Sequence, residues 1–135
     1  MKRNPLDTLN LIAQTIYDKK GINTLALDVR GISFMTDFVI IAEGNVDRHV
    51  SAIGKAIIEA LEKSGEPVLY TQGVKEGKWA VIDLFDIMIH IFKPGLRDKY
   101  QLEDLWRDGK IVDLTIVISK EIQTERAESR LSSHG

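Results

Sequence analysis

Residues 79–92 read Trp79-Ala80-Val81-Ile82-Asp83-Leu84-Phe85-Asp86-Ile87-Met88-Ile89-His90-Ile91-Phe92, two apolar runs meeting at a short polar break. Trp79 to Leu84 and Ile87 to Phe92 are each short and rich in β-branched or aromatic residues, the signature of a strand. In the second run Ile87, Ile89 and Ile91 point one way and Met88, His90 and Phe92 the other, because strand side chains alternate. Both faces are apolar enough to need cover, so this strand is expected inside a layered domain.

Upstream, Val68 to Val74 is another strand candidate, joined to Trp79 by the turn Lys75-Glu76-Gly77-Lys78. Ile22 to Val29 and Phe38 to Ala42 read as neighbouring strands, separated by a turn containing Gly31, Ser33, Thr36 and Asp37. That makes five strands. Leu6 to Lys20 carries Leu6, Leu9, Ile12, Ala13, Ile16 and Tyr17 at helical spacing and stops at Gly21. A second helix is predicted from a cap at Asn45 through Ser64, with Val46, Val50, Ile53, Ile57 and Leu61 inward, Arg48 on the wet side and Gly65 at the end. Helices mixed with strands in this order predict an α/β single domain, a mixed five-stranded sheet with flanking helices. The strand order stays open.

Beyond Pro94-Gly95 a short helical stretch holds Leu96, Tyr100, Leu102, Leu105 and Trp106, expected to pack on the sheet as a flap. Ile111 to Ile118 offers an edge strand. The expected domain spans 1–118, and 119–135 reads as a polar C-terminal tail without apolar periodicity.

The 135 residues, 44% hydrophobic and 28% charged, suit one hydrophobic core. A net charge of -2 argues against binding nucleic acid by neutralising many phosphates. The absence of cysteine removes disulfides and thiolate chemistry and fits a reducing compartment. No apolar run approaches the roughly 20 residues of a membrane span, and Met1-Lys2-Arg3-Asn4-Pro5 leads into nothing like a signal peptide, so a cytoplasmic protein is expected.

Catalytic motifs are missing. Neither Gly-x-Ser-x-Gly nor a phosphate-cradling glycine loop occurs, and His49, His90 and His134 stand at no metal-ligand spacing. Asp83 and Asp86 are the best pair for holding a divalent cation, but residues three apart on a strand face opposite ways. If Leu84-Phe85 turn the chain, both aspartates become turn residues bonding nearby amides. His90 reads either as a pH-sensitive contact or as a core-edge histidine bonded to a carboxylate or backbone. Trp79 and Trp106 read as binding anchors or as core filling, and Arg48 and His49 as a solvated arginine and a flank histidine.

Several phrases together resemble the Iojap family, also called ribosomal silencing factors: Gly31-Ile32-Ser33-Phe34-Met35-Thr36-Asp37, Arg48-His49-Val50, the stretch Trp79 to His90, and Arg97-Asp98-Lys99-Tyr100-Gln101-Leu102-Glu103-Asp104-Leu105-Trp106. The likeness covers about Leu6 to Trp106. It implies a nucleotidyltransferase-like fold without catalytic carboxylates, no cofactor, and no enzymatic activity. It also implies a partner, the large ribosomal subunit bound through its protein numbered fourteen, with joining of the small subunit blocked sterically and translation lowered. Homodimers occur in the family. By position, the partner-binding surface centres on Trp79, Asp83, Asp86 and His90, with Arg97, Tyr100, Leu102, Leu105 and Trp106 from the flap. Two departures stand out: Phe85 where the family usually has glycine, and Gln72-Gly73 where it has a Glu-Gly pair. A bulky residue tolerates positive φ poorly, so Phe85 argues against a tight turn of that kind. The rival functions are a nucleotide-binding enzyme of the nucleotidyltransferase type and a structural dimerisation domain.

Overall fold

Leu9, Ile12, Ala13 and Ile16 recur every three or four residues, so one side of helix α1 (Pro5–Asp18) is wholly apolar and buried. Its start is well specified. Asn4 caps it, the side chain accepting from the Leu6 N–H at 2.9 Å, and Pro5 occupies the first turn, where its missing N–H is harmless. The structure, a computed structural model, describes residues 4–100, 104 and 107–118, without the side chain of Tyr100. The tail expected over 119–135, and Leu102, Leu105 and Trp106 of the expected flap, lie outside the described residues.

Among the described residues six strands form one sheet: β1 (Ile22–Asp28), β2 (Phe38–Glu43), β3 (Tyr70–Gln72), β4 (Trp79–Asp83), β5 (Ile87–Phe92) and β6 (Lys110–Ile111), in the order β3-β4-β5-β2-β1-β6. β2 and β5 run parallel and every other pair is antiparallel. Helix α2 (Asp47–Lys63) lies on the connection between the two parallel strands, as parallel neighbours require a crossover. The central position of β2 explains its sequence. All six of its residues are buried, and the five from Phe38 to Ala42 form the unbroken apolar run of a strand covered on both sides.

α1 and α2 cover one face of the sheet. Val50, Ile53, Ile57 and Leu61 of α2 meet Ile40, Ile82, Ile89 and Ile91 in the main core cluster. Each such side chain contributes about 2 kcal/mol when fully buried, which is why the helical stripe predicts this packing so directly.

Four expectations need correction in detail. The sheet has six strands, the sixth only two residues long at Lys110–Ile111. After Val112, whose N–H donates to the Ala26 carbonyl, the chain leaves the sheet and runs along α1, so Ile111 to Ile118 is not an edge strand over its length. The strand expected over Val68 to Val74 pairs only at Tyr70–Gln72, because Gly73 turns the chain with φ 73°. Helix α2 begins at Asp47, with an exposed Val46 at the cap and no side-chain cap bond. Asn45 contributes its backbone N–H to His49 Nδ1 at 2.9 Å, and His49 Nε2 meets the Lys19 carbonyl at 2.7 Å. The flank histidine thus ties the end of α1 to the start of α2, and only the neutral ring protonated at Nε2 makes both bonds.

Candidate functional site

Among the described residues, α3 (Leu96–Tyr100) is the only helix on the sheet face opposite α1 and α2. Pleating sends Trp79, Val81 and Asp83 of β4 to this face, across from Phe92, His90 and Met88 of β5. β2 continues it with Val39 and Ile41, and β1 with Leu25 and Leu27. Toward β1 the face is closed: Leu27, Val29, Val39, Ile41 and Phe92 are buried in a second core cluster, with Leu25, Trp79 and Leu96 packed against it. Toward β3 it opens. Val81, Met88 and Asp83 are half-buried, and Tyr70 is exposed.

Three rings mark the boundary. Trp79 lies 5.0 Å from Phe92 and 6.0 Å from His90 between ring centroids, and His90 stacks on Phe92 at 5.9 Å and 9°. The indole N–H of Trp79 donates to His90 Nδ1 at 3.1 Å. His90 is therefore a buried histidine whose partner is a tryptophan, and the expected bond to a carboxylate or backbone is replaced at Nδ1. With 5% of its surface exposed, its charged form loses hydration, and burial pushes its pKa down to about 4. A neutral ring keeps the Nδ1 lone pair that holds the indole in place.

Asp83 and Asp86 both lie at the turn between β4 and β5. Asp83 Oδ1 accepts the Phe85 N–H at 2.8 Å, and the Asp86 carbonyl accepts the N–H groups of Asp37 and Phe38, each at 3.0 Å. Both aspartates thus sit at the turn: Asp83 closes it with its carboxylate, and Asp86 ties the β4–β5 hairpin to the start of β2 through its backbone carbonyl. No group of three or more His, Cys, Asp or Glu that could hold a metal occurs among the described residues.

Phe85 corrects the expectation drawn from its size. It adopts φ 83° and is 73% exposed, so the turn keeps its left-handed residue despite the bulky side chain. Such a conformation costs a non-glycine residue about 1–3 kcal/mol. Phe85→Gly is expected to raise stability by up to about 1 kcal/mol, the relief of strain being partly offset by the greater backbone entropy of unfolded glycine. Chemical denaturation of the two proteins checks this, and a less stable glycine variant would mean the ring makes contacts that matter to the fold.

Arg97, expected on the docking surface, is turned inward. Its Nη1 donates to the Asn23 carbonyl at 2.5 Å and to Glu43 Oε2 at 2.9 Å, and Asn23 Nδ2 donates to the same carboxylate oxygen at 2.9 Å. Arg97 and Glu43 are 9% and 8% exposed, so this pair fastens α3 to the ends of β1 and β2. Glu43 and Asn23 were missed in the sequence, although a carboxylate ending the otherwise apolar run Phe38 to Glu43 signals a partnered buried charge. The expected residues thus divide. Trp79, Asp83 and His90 share the open face, Asp86 sits in the adjoining turn, and Arg97 anchors α3.

No helix among the described residues is long and apolar enough to cross a membrane. A family model described as ribosomal silencing factor during starvation matches residues 2–134. The ribosomal silencing factor of Bacillus subtilis is 36% identical over 111 residues, which cover 82% of this chain and 94% of that protein. A crystal structure of a Bacillus halodurans protein superposes with a TM-score of 0.71 at 32% identity, covering 80% of this chain and 98% of that one. One from Chromobacterium violaceum shares the fold with a TM-score of 0.76 at 24% identity, covering 87% and 98%.

Proposed function

The chain belongs to the family of ribosomal silencing factors, and from that premise we propose that it binds the large ribosomal subunit through its protein numbered fourteen and keeps the small subunit from joining. The reading is supported above all by the half-open sheet face at Trp79. There a large aromatic is anchored by His90 beside half-buried Val81 and Met88, with Asp83 at the margin, the apolar centre and polar rim of a docking surface. Asp86, and Tyr100, Leu102, Leu105 and Trp106 of the flap, extend that surface in this reading, and Arg97 holds the flap's first turn. Inhibition is by occlusion and requires no reaction and no cofactor. The working unit is the domain 1–118, acting in the cytoplasm. A homodimer is the second assembly the reading allows.

Purified protein mixed with separated subunits in a sucrose gradient tests binding and anti-association together. The protein is expected to travel with large subunits and to lower the yield of joined ribosomes; failure to co-migrate would refute the proposal. Truncating a buried interface anchor commonly costs about 2 kcal/mol or more, so Trp79→Ala should weaken the complex roughly thirtyfold. Melting curves on the same variant separate this from a core role, because a purely structural Trp79 would lower the melting temperature and leave the affinity of the folded fraction unchanged. Arg48→Ala, on the exposed side of α2, is the control and should bind normally.

A further inference from the structure

Residues 112–118 follow β6 yet make no further ladder with β1 after the Val112 bond. The segment stays extended, with half-buried and exposed residues in strict alternation. Val112, Leu114 and Ile116 pack against the main core, and Thr115 and Val117 face outward. Its backbone is read by side chains of α1. Asn10 Oδ1 accepts the Thr115 N–H at 2.8 Å, and Gln14 Oε1 accepts the Val117 N–H at 2.6 Å. Gln14 Nε2 donates in return to the Val117 carbonyl at 3.0 Å, so the side-chain amide pairs with both main-chain polar groups of Val117, as a residue of a neighbouring strand would.

The spacing explains why this works. Residues four apart on a helix are about 6 Å apart along its axis. Alternate residues on a strand are about 6.7 Å apart, so amides at i and i+4 of a helix can meet the N–H groups at j and j+2 of an extended chain. Gln14 is also pre-set: Nε2 donates to Asp18 Oδ1 at 2.8 Å, one turn further on. An arrangement with matched spacing, a two-bond amide contact and a side chain held ready is a peptide-binding site in its chemistry.

We propose that Asn10 and Gln14 of α1 form a site for an extended peptide with apolar residues at alternate positions, occupied in cis by residues 112–118, which therefore act as a detachable clasp. The ligand class follows from the contacts: main-chain bonds fix the register and three alternate apolar side chains supply the burial. Beyond Val112, which keeps its bond to β1, the clasp opens without the sheet, because at Thr115 and Val117 its bonds run to side chains of α1 and not to a strand. Opening it uncovers the part of the main core that Val112, Leu114 and Ile116 cover.

Amide exchange on the 15N-labelled full chain is the first test. In Gln14→Ala the Thr115 and Val117 amides should exchange about tenfold faster, with Ile40 and Ile89 unchanged. No change at Val117, or equal acceleration at Ile40, would overturn the proposal. The second test uses the full-length double variant Leu114→Asp/Ile116→Asp, whose own clasp is displaced. It should bind a fluorescein-labelled peptide of residues 111–119, carrying two added C-terminal lysines, where the unaltered protein does not, and adding Gln14→Ala should weaken that binding at least fivefold. A folded double variant that ignores the peptide would count against the site. The exchange measurement is made on the native fold, so it decides the matter even where the double variant does not fold.

Discussion

Arg97→Ala is expected to destabilise the protein by about 3–5 kcal/mol, the cost typical of removing one partner from a buried ion pair. Glu43 is 8% exposed at the end of a central strand, so its charge, once the arginine is gone, cannot reach water easily and keeps the neutral Asn23 amide as a donor. In a domain of this size the loss corresponds to a fall of roughly 10–20 °C in melting temperature. The partner and not the arginine's bulk is the cause, which a second substitution can show. With Glu43→Gln added to Arg97→Met no buried charge remains, an amide oxygen can still accept from Asn23, and the cost should shrink to about 1–2 kcal/mol. A loss below about 1 kcal/mol for Arg97→Ala alone would show that the pair is effectively hydrated. Because Arg97 lies in the first turn of α3, the same variant should also loosen that helix, read as faster amide exchange at Asp98 and Lys99.

The second large effect is a dependence on pH. His90 is held neutral in the fold, with its pKa pushed to about 4, whereas in the unfolded chain it titrates near 6.5. Above pH 6.5 both states are neutral and the residue contributes no pH dependence. Between pH 6.5 and about 4 the unfolded state binds a proton that the folded state refuses, so stability falls as pH falls. The full difference is about 3 kcal/mol, reached near pH 4. His90→Gln keeps an acceptor for the Trp79 indole and cannot titrate, so it should flatten this part of the stability profile. Asp28 contributes in a different window. The side-chain hydrogen bond from Arg30 lowers its pKa below the usual 3.8, so its stabilisation is lost only under that value. Urea denaturation from pH 7 to 4 checks the prediction; parallel profiles for the two proteins would mean that His90 is hydrated in the fold. Protonation in the fold removes the Nδ1 acceptor, so the Trp79 fluorescence should change near pH 4 as the indole loses its partner.

What the chain alone announced was whatever repeats with a period. The stripe Leu9, Ile12, Ala13 and Ile16, the stripe Val50, Ile53, Ile57 and Leu61, and the alternating Ile87 to Phe92 each report a face that must be buried, and each lies where its period requires. The Asp83–Asp86 turn was equally legible, because a short carboxylate two residues before a backbone N–H bonds it locally. The likeness to the silencing factors rests on phrases distributed over such elements, and so it too was visible before any coordinates.

Other features depend on atoms far apart in sequence, and no local rule reports them. His49, legible only as a flank histidine, finds its partner at the Lys19 carbonyl because α1 ends beside α2, 30 residues away. His90 finds an indole because antiparallel register sets Val81 opposite it and brings Trp79 within reach on the same face. Phe85 keeps a positive φ against its own preference, since the hairpin and its bonds to Asp37 and Phe38 demand it. Arg97 turns inward because Glu43 needs a cation. Residues 112–118 have the alternation of a strand, and that pattern says only that one side is buried, not against what. Helix α1 offers amides at the right spacing, and so only the folded arrangement decides that this segment rests on a helix and leaves the edge of the sheet.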